Sequence, residues 1–384
     1  MRRMLETFHQ DERGAVVVLV GALMGLLLVF CVYAIDIGQL VLVRTQLQNA
    51  ADAAALAGAR VGGLTGGDTA AAQLEAMMAS GTNRALVDVG DGRSNVMGNV
   101  VINDGDVTFP QARRIHVVTH RTEETDDSFV SYFIRIFDKD RAGEMTARAA
   151  AEFFWVCGGK CLEPWAPPDR WFDADGNGEY NPDSIRNPNE YYDPIATGYT
   201  DADLGQPITI ILGNGNQDGF GQFWYYSVDF PPRNDGDPVS GADRYRDWMC
   251  QGCLDSSFTV DPGDELVVEP GKQVGPNSAG LNCIVGSDPT AEWDEATGTV
   301  VNSAFSVSPR IVKCALFDPH IGLADDGSGR KYVRVVKIMV LFVESTSNNN
   351  QQITGRFMRL SEPGGTVCAN QNDPTFLYKT TLVE

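Results

Sequence analysis

Positive charge is scarce in this chain: 30 lysines and arginines face 51 aspartates and glutamates over 384 residues, a formal net charge of -21. A surface of that sign repels phosphate backbones and anionic headgroups, which sets nucleic acid aside as a partner. Histidine is scarcer still, with four in all. Catalytic signatures are missing as well: no G-x-S-x-G elbow, no P-loop, and no G-x-G-x-x-G following a strand. His116 and His120 stand close together, but RIHVVTH lacks the glutamate of H-E-x-x-H and alternates as a strand does, so both read as structural. The chain is expected not to be an enzyme.

What the sequence does have is one long apolar run, Ala15 to Ile35, without a single charge. A bilayer core of ~30 Å needs ~20 such residues at 1.5 Å rise each, so the run is long enough to span once. It exceeds the apolar stretch of a cleaved signal and flows on without a break into DIGQLVLVRTQLQNAADAAALAGAR. A retained anchor is the reading. Arg2, Arg3 and Arg13 precede the span and the next cation is Arg44, so the N-terminus is expected in the cytoplasm and the rest outside it.

The expected fold class is α+β in five segments: a cytoplasmic tail (1–14), a transmembrane helix (15–35), Ala-rich stalk helices (36–85), a small α+β unit (86–156), and a large β-rich, sandwich-like extracytoplasmic domain (157–384). Between Ile37 and Arg60 apolar positions recur at helical intervals, many of them alanine. Small side chains let a neighbour approach closely, so this helix either bundles with others as a stalk or packs on its own domain. Gly62, Gly63, Gly66 and Gly67 end it, and Asp68 or Thr69 caps a second helix. Further on, NVVIN, DVTFP and RIHVVTH are strand-like, SFVSYFIRIF is helix or strand, and EMTARAAAEFFWV closes the unit. In the last segment PITIIL, QFWYYSVDF, ELVVEP, RIVKCALF and KYVRVVKIMVLFVES alternate with Pro, Gly and Asp turns. GNGNQDGFGQF is expected to be a hairpin turn, and Trp224, Tyr225 and Tyr226 to be core residues more than a ligand platform.

WFDADGNGEYNPDS, Trp171 to Ser184, carries the strongest chemical signal beyond the anchor. Hard Ca2+ takes six to eight oxygens, and D-x-D-x-N-G supplies three side-chain oxygens before a glycine turns the chain. Asp173, Asp175 and Asn177 fill the first, third and fifth positions, and the Glu179 carbonyl the seventh. Ser184 stands where a bidentate glutamate is expected, so Asp183, Glu190 or Asp193 is needed to close the shell. Pro182, Pro188 and Pro194 forbid a second helix, which makes this a structural calcium loop and not an EF-hand; a solvated Asx-rich turn is the alternative. Asp201 and Asp203 form a weaker acidic cluster.

Cys31 lies in the apolar run as an inert thiol. The other cysteines, Cys157, Cys161, Cys250, Cys253, Cys283, Cys314 and Cys368, are disulfide candidates outside the cytoplasm, enough for three bonds and one thiol left over. Connectivity is open. Cys157 and Cys161 with Cys250 and Cys253 also have the spacing of a four-thiolate zinc site, which the compartment disfavours.

The start Glu12 to Ala15 (E-R-G-A), the single span, Asp36-Ile37-Gly38 and QLQNAADAAALAGAR (Gln46 to Arg60) together resemble the N-terminus of the TadG-like Flp pilus-assembly family. FIRIFDKDRAGEMTARAAAEF (Phe133 to Phe153) is similar to the end of the unit that follows in those proteins. The resemblance implies a membrane-anchored, non-enzymatic component of a Tad (tight-adherence) pilus or secretion apparatus. Its partners would be other pilus-assembly membrane proteins, pilins or pseudopilins, and the lipid bilayer, with the bulk of the chain periplasmic or at the cell surface. Two departures matter. Many relatives carry a von Willebrand A domain with D-x-S-x-S, absent here, where the nearest echo around Asp326 reads as a turn. Pilins cut by prepilin peptidase carry a glutamate at the fifth position after the cut, but Leu19 holds that place after Gly14, so the anchor is expected to stay uncleaved. The alternative function is a calcium-stabilised surface adhesin or binding module on the same kind of anchor.

Overall fold

A computed structural model of the chain describes residues 12–88, 94–122, 128–132, 144–182, 190–230, 241–252, 258–325, 327, 329–373 and 375–383. The protein divides into two compact units, Met1–Glu152 with Thr381–Glu384, and Phe153–Thr380. The class is α+β: a long apolar helix, three further helices among the described residues, and a large β-rich region.

In the first unit α1 runs unbroken over Glu12–Thr65, 54 residues, or about 80 Å at 1.5 Å rise. Its early part is long and apolar enough to cross a membrane, and from Val16 to Ile35 its large apolar side chains are exposed except for the half-buried Val32. From Asp36 onward one face is covered. Val43, Leu47, Ala50, Ala51, Ala54 and Ala55 are fully buried. Of the two roles open to the alanines, the structure has the helix packed on its own domain. The close approach is visible at Gly58, where an added Cβ would lie 2.4 Å from Ile115 Cδ1 and 2.9 Å from the Ala72 carbonyl oxygen.

Helix α2 (Thr69–Thr82) folds back after Gly66 and Gly67, both at positive φ, and Asp68 caps it by accepting from the Ala70 and Ala71 amides at 2.9 and 3.1 Å. There follow the hairpin β1 (Arg84–Asp88) and β2 (Asn95–Asn99), then β3 (Val107–Gln111), β4 (Arg114–Arg121) and β5 (Met145–Val156), which pair antiparallel in turn. Strand β4 alternates strictly: Ile115, Val117, Thr119 and Arg121 are buried and the residues between them only half so. Thr119 Oγ1 donates to the Leu47 carbonyl on α1 at 2.9 Å, and the buried Arg121 guanidinium donates to the Gly98 and Asn99 carbonyls of the hairpin. At the other end of the unit Asp36 is buried, accepting from Ser131 Oγ at 2.6 Å and the Tyr132 amide at 2.9 Å. Of the stretch resembling the family, residues 133–143 lie outside the described part.

The second unit is built on one sheet whose described path runs β12 (Ile311–Phe317), β14 (Lys331–Ser347), β15 (Gln352–Phe357), β7 (Pro207–Leu212), β8 (Trp224–Asp229) and β6 (Trp165–Ala166). The short strands β9 (Glu265–Val268) and β13 (Ala324–Asp325) add to β14. A small hairpin, β10 (Glu292–Asp294) with β11 (Thr299–Val301), stands apart, and β16 (Leu360–Ser361) pairs in parallel with β17 (Leu377–Val383). Strand β14 is the spine, 17 residues long and buried on both faces through its middle. Tyr225 and Tyr226 are buried in the core.

One expectation is corrected. Strands β7 and β8 pair in parallel, Ile211 with Trp224 and Leu212 with Tyr225, so residues 213–223 are a crossover and not a hairpin turn. A parallel neighbour cannot be reached by a tight turn; the chain must travel back, and the glycine-rich loop does so. Helices α3 (Ala242–Gln251) and α4 (Val274–Ser287) pack on each other, with Gly280 leaving room for the Met249 side chain.

Candidate metal centre

The loop after Trp171 is shaped by its own side chains. Asp173 accepts from the Gly176 and Gly178 amides at 2.8 and 2.7 Å, Asp175 from the Asn177 amide at 3.1 Å, and Asn177 Oδ1 from the Glu179 amide at 2.6 Å. Gly176 and Gly178 sit at φ 72° and 73°, where a side chain would be strained. The chain then returns: Phe172 and Tyr191 form an antiparallel bridge, and this brings Glu190 beside the loop. Carboxylate oxygens of Asp173, Asp175 and Glu190 all lie within 4.8 Å of one another.

Glu190 is the informative member. It is 4% exposed, its Oε2 accepts from the Asn181 amide at 2.8 Å, and its Oε1 is sealed from solvent without a hydrogen-bond partner. A buried, half-satisfied carboxylate facing two others is costly unless a cation neutralises the group. The cluster is therefore fit to hold a metal ion, and its donors are hard oxygens.

The other predicted ligands fall as follows. Asn177 turns its amide nitrogen to Asp175 at 2.9 Å, and Glu179, with an exposed side chain, forms a backbone bridge to Gly221. Asp183 lies outside the described residues. Asp193 caps its own turn, and the Ala196 and Ile195 amides it accepts from hold its pKa below the usual carboxylate range. Asp201 pairs with Arg359 and Asp203 with Arg170, so both are engaged in ion pairs.

Beneath the loop lies a network that no sequence motif announced. Asp169, fully buried, meets Lys337 Nζ of β14 at 3.0 Å and accepts from Tyr192 Oη at 3.0 Å and the Tyr199 amide at 2.8 Å. Lys337 also donates to the Pro194 and Tyr199 carbonyls, each at 2.8 Å. Both ends of the metal loop are thereby tied to the spine of the sheet.

A second buried carboxyl pair joins Asp229 at the end of β8 to Glu269, which also accepts from the Gly241 amide at 2.7 Å. Burial, then the hydrogen bond to Glu269 and its charge, push Asp229 up to about 9, so Asp229 keeps its proton at neutral pH. Burial alone pushes Glu163 up to about 8. Both folded pKa values exceed the unfolded ones, so the folded state holds protons that the unfolded state releases. The stability these two groups contribute is fully present below the ordinary carboxylate range and is lost as pH rises through neutral towards the raised values. Denaturant midpoints between pH 5 and 9 should show this slope, and Asp229→Asn should flatten it; an unchanged slope would refute the assignment.

The cysteines resolve into bonds. Cys157 pairs with Cys368 and Cys250 with Cys283, and Cys161 is disulfide-bonded too, while Cys253 lies outside the described residues. Thiols so bonded are not available to ligate zinc. Cys314 is the thiol left over in the core, and Cys31 is exposed on the apolar part of α1.

No curated protein and no solved structure matches the chain. Residues 14–61, which comprise the exposed apolar part of α1 and the buried alanine face that follows, match the Tad family model, Flp pilus-assembly TadE/G-like.

Proposed function

We propose that the protein is a membrane-anchored, non-enzymatic component of a Tad/Flp-type pilus assembly or secretion system, acting through helix and domain contacts. The observation that carries this is the coincidence of the family match with a single helix that is exposed and apolar over its first part and then becomes the core of a folded unit. The N-terminus stands in the cytoplasm, on the strength of Arg2, Arg3 and Arg13, and the second unit is extracytoplasmic. Its partners are other pilus-assembly membrane proteins, pilins or pseudopilins. Deleting the gene in a host with the pilus cluster should abolish pili and surface adherence; normal pili in the deletion strain would sink the reading.

The metal in this reading is Ca2+ in a structural role, held by Asp173, Asp175 and Glu190. A calcium level a hundredfold above the dissociation constant adds about 2.7 kcal/mol to the folded state. Chelation should lower the melting temperature, and Asp173→Asn should remove both the calorimetric binding signal and the sensitivity to chelator. The second reading, a calcium-stabilised adhesin or binding module on the same anchor, draws on the concavity beside that loop.

A further inference from the structure

The metal loop forms one wall of a pocket of about 330 Å3, and the crossover between β7 and β8 forms the other. Two backbone contacts join the walls: the Gln222 amide donates to the Gly178 carbonyl at 2.8 Å, and Glu179 bridges to Gly221. The Gln222 side chain reinforces them by donating to the Trp171 carbonyl at 3.0 Å. The volume is at the lower end of the range for small-molecule sites.

We infer that this pocket binds a neutral saccharide. Its lining combines the ring of Phe223, and the edges of the core-packed Phe220 and Trp224, with the hydrogen-bonding side chains of Glu179, Asn181 and Gln217. Ring faces take the C–H surface of a sugar while amides and carboxylates take its hydroxyls, and neither contact alone would hold so polar a ligand. Phe223 is 47% exposed, a ring held at the surface with no core to fill. The described lining contains no lysine, arginine or histidine; Lys331 Nζ neutralises Asp218 from outside it at 2.9 Å, and the Glu179 carboxylate disfavours phosphates and acidic sugars. An extended peptide is disfavoured as well, because Ile211 and Trp224 at the base are already paired with each other and offer no strand edge.

The inference rests on the metal reading only for its calcium dependence: if calcium sets the loop, it also sets the wall. The test uses the full chain in lipid nanodiscs, which avoids sugar-headed detergents, with cellobiose, chitobiose and lactose as probes in saturation-transfer NMR. At least one disaccharide should receive saturation from the calcium-loaded protein, and Phe223→Ala should weaken its binding about tenfold. That variant removes an exposed ring and leaves the core intact. Leu74→Ala, exposed on α2, should bind like the parent. No transfer to any of the three sugars, or transfer unchanged by Phe223→Ala, overturns the inference. Sugar binding in a protein that takes up no calcium would sustain the pocket and remove the metal.

Discussion

Lys337→Met should destabilise the protein by about 3 to 5 kcal/mol, the loss seen when one partner of a buried ion pair is removed. Asp169 is fully buried, and burial already raises its pKa against the opposing pull of Lys337. Without the ammonium the carboxylate has neither a counterion nor water, and the Pro194 and Tyr199 carbonyls each lose a donor. Adding Asp169→Asn should recover part of the loss, since the amide oxygen still accepts from the Tyr199 amide and the amide nitrogen can donate to Tyr192 Oη, with no charge to bury. Denaturant unfolding of the two variants measures both effects. Calcium affinity should fall with Lys337→Met, because the segment from Asp169 to Tyr199 contains the whole metal loop. A loss below about 1 kcal/mol would mean that the pair stays solvated, as surface pairs do.

Replacing Cys157 and Cys368 by serine should cost about 5 kcal/mol, and the same change at Cys250 and Cys283 about 4. The bonds close stretches of 211 and 33 residues, and the loop-entropy expression grows only with the logarithm of length. The difference between the pairs is therefore small but has a definite sign. Paired unfolding curves of the two double variants would read it, and a larger loss for the shorter loop would refute the entropic account. Cys314 should not interfere by exchange: it is fully buried, and burial holds its thiol protonated.

Much of this was legible in the sequence where a local pattern has one physical solution. An uncharged apolar run, an alanine face, a glycine stop with an aspartate cap, and D-x-D-x-N-G each prescribe their own geometry. What was not legible depends on pairing at a distance. The flanks of residues 213–223 read as two strands, but direction is set by their other neighbours, β15 beside β7 and β9 beside β8. Helix α4 was hidden by Gly275, Pro276, Gly280 and Gly286, which look like turn residues until the covalent tie to α3 and the cavity for Met249 are known. Glu190 was one of three candidates to complete the shell, and the Phe172–Tyr191 bridge brings it beside the loop while Asp193 caps its own turn and Asp183 lies outside the described residues. Asp169 and Lys337 had no motif at all; the first precedes an aromatic stretch and the second lies with Lys331 and Arg334 in the charged first half of a long strand.

The unbroken course of α1 has a mechanical consequence. With no linker between the exposed apolar turns and the buried alanine face, the helix of the proposed anchor is a lever that pivots at the level of Asp36, where Ser131 and Tyr132 clasp it. The arm from Asp36 to Thr65 is about 45 Å long at 1.5 Å per residue. Transmembrane helices lean by about 20° on average, and a lean of that size swings the far end by about 15 Å. For the anchor proposed here, a change in bilayer thickness or in a neighbouring helix would be magnified into a sideways displacement of the first unit, with no bond rotated along the way.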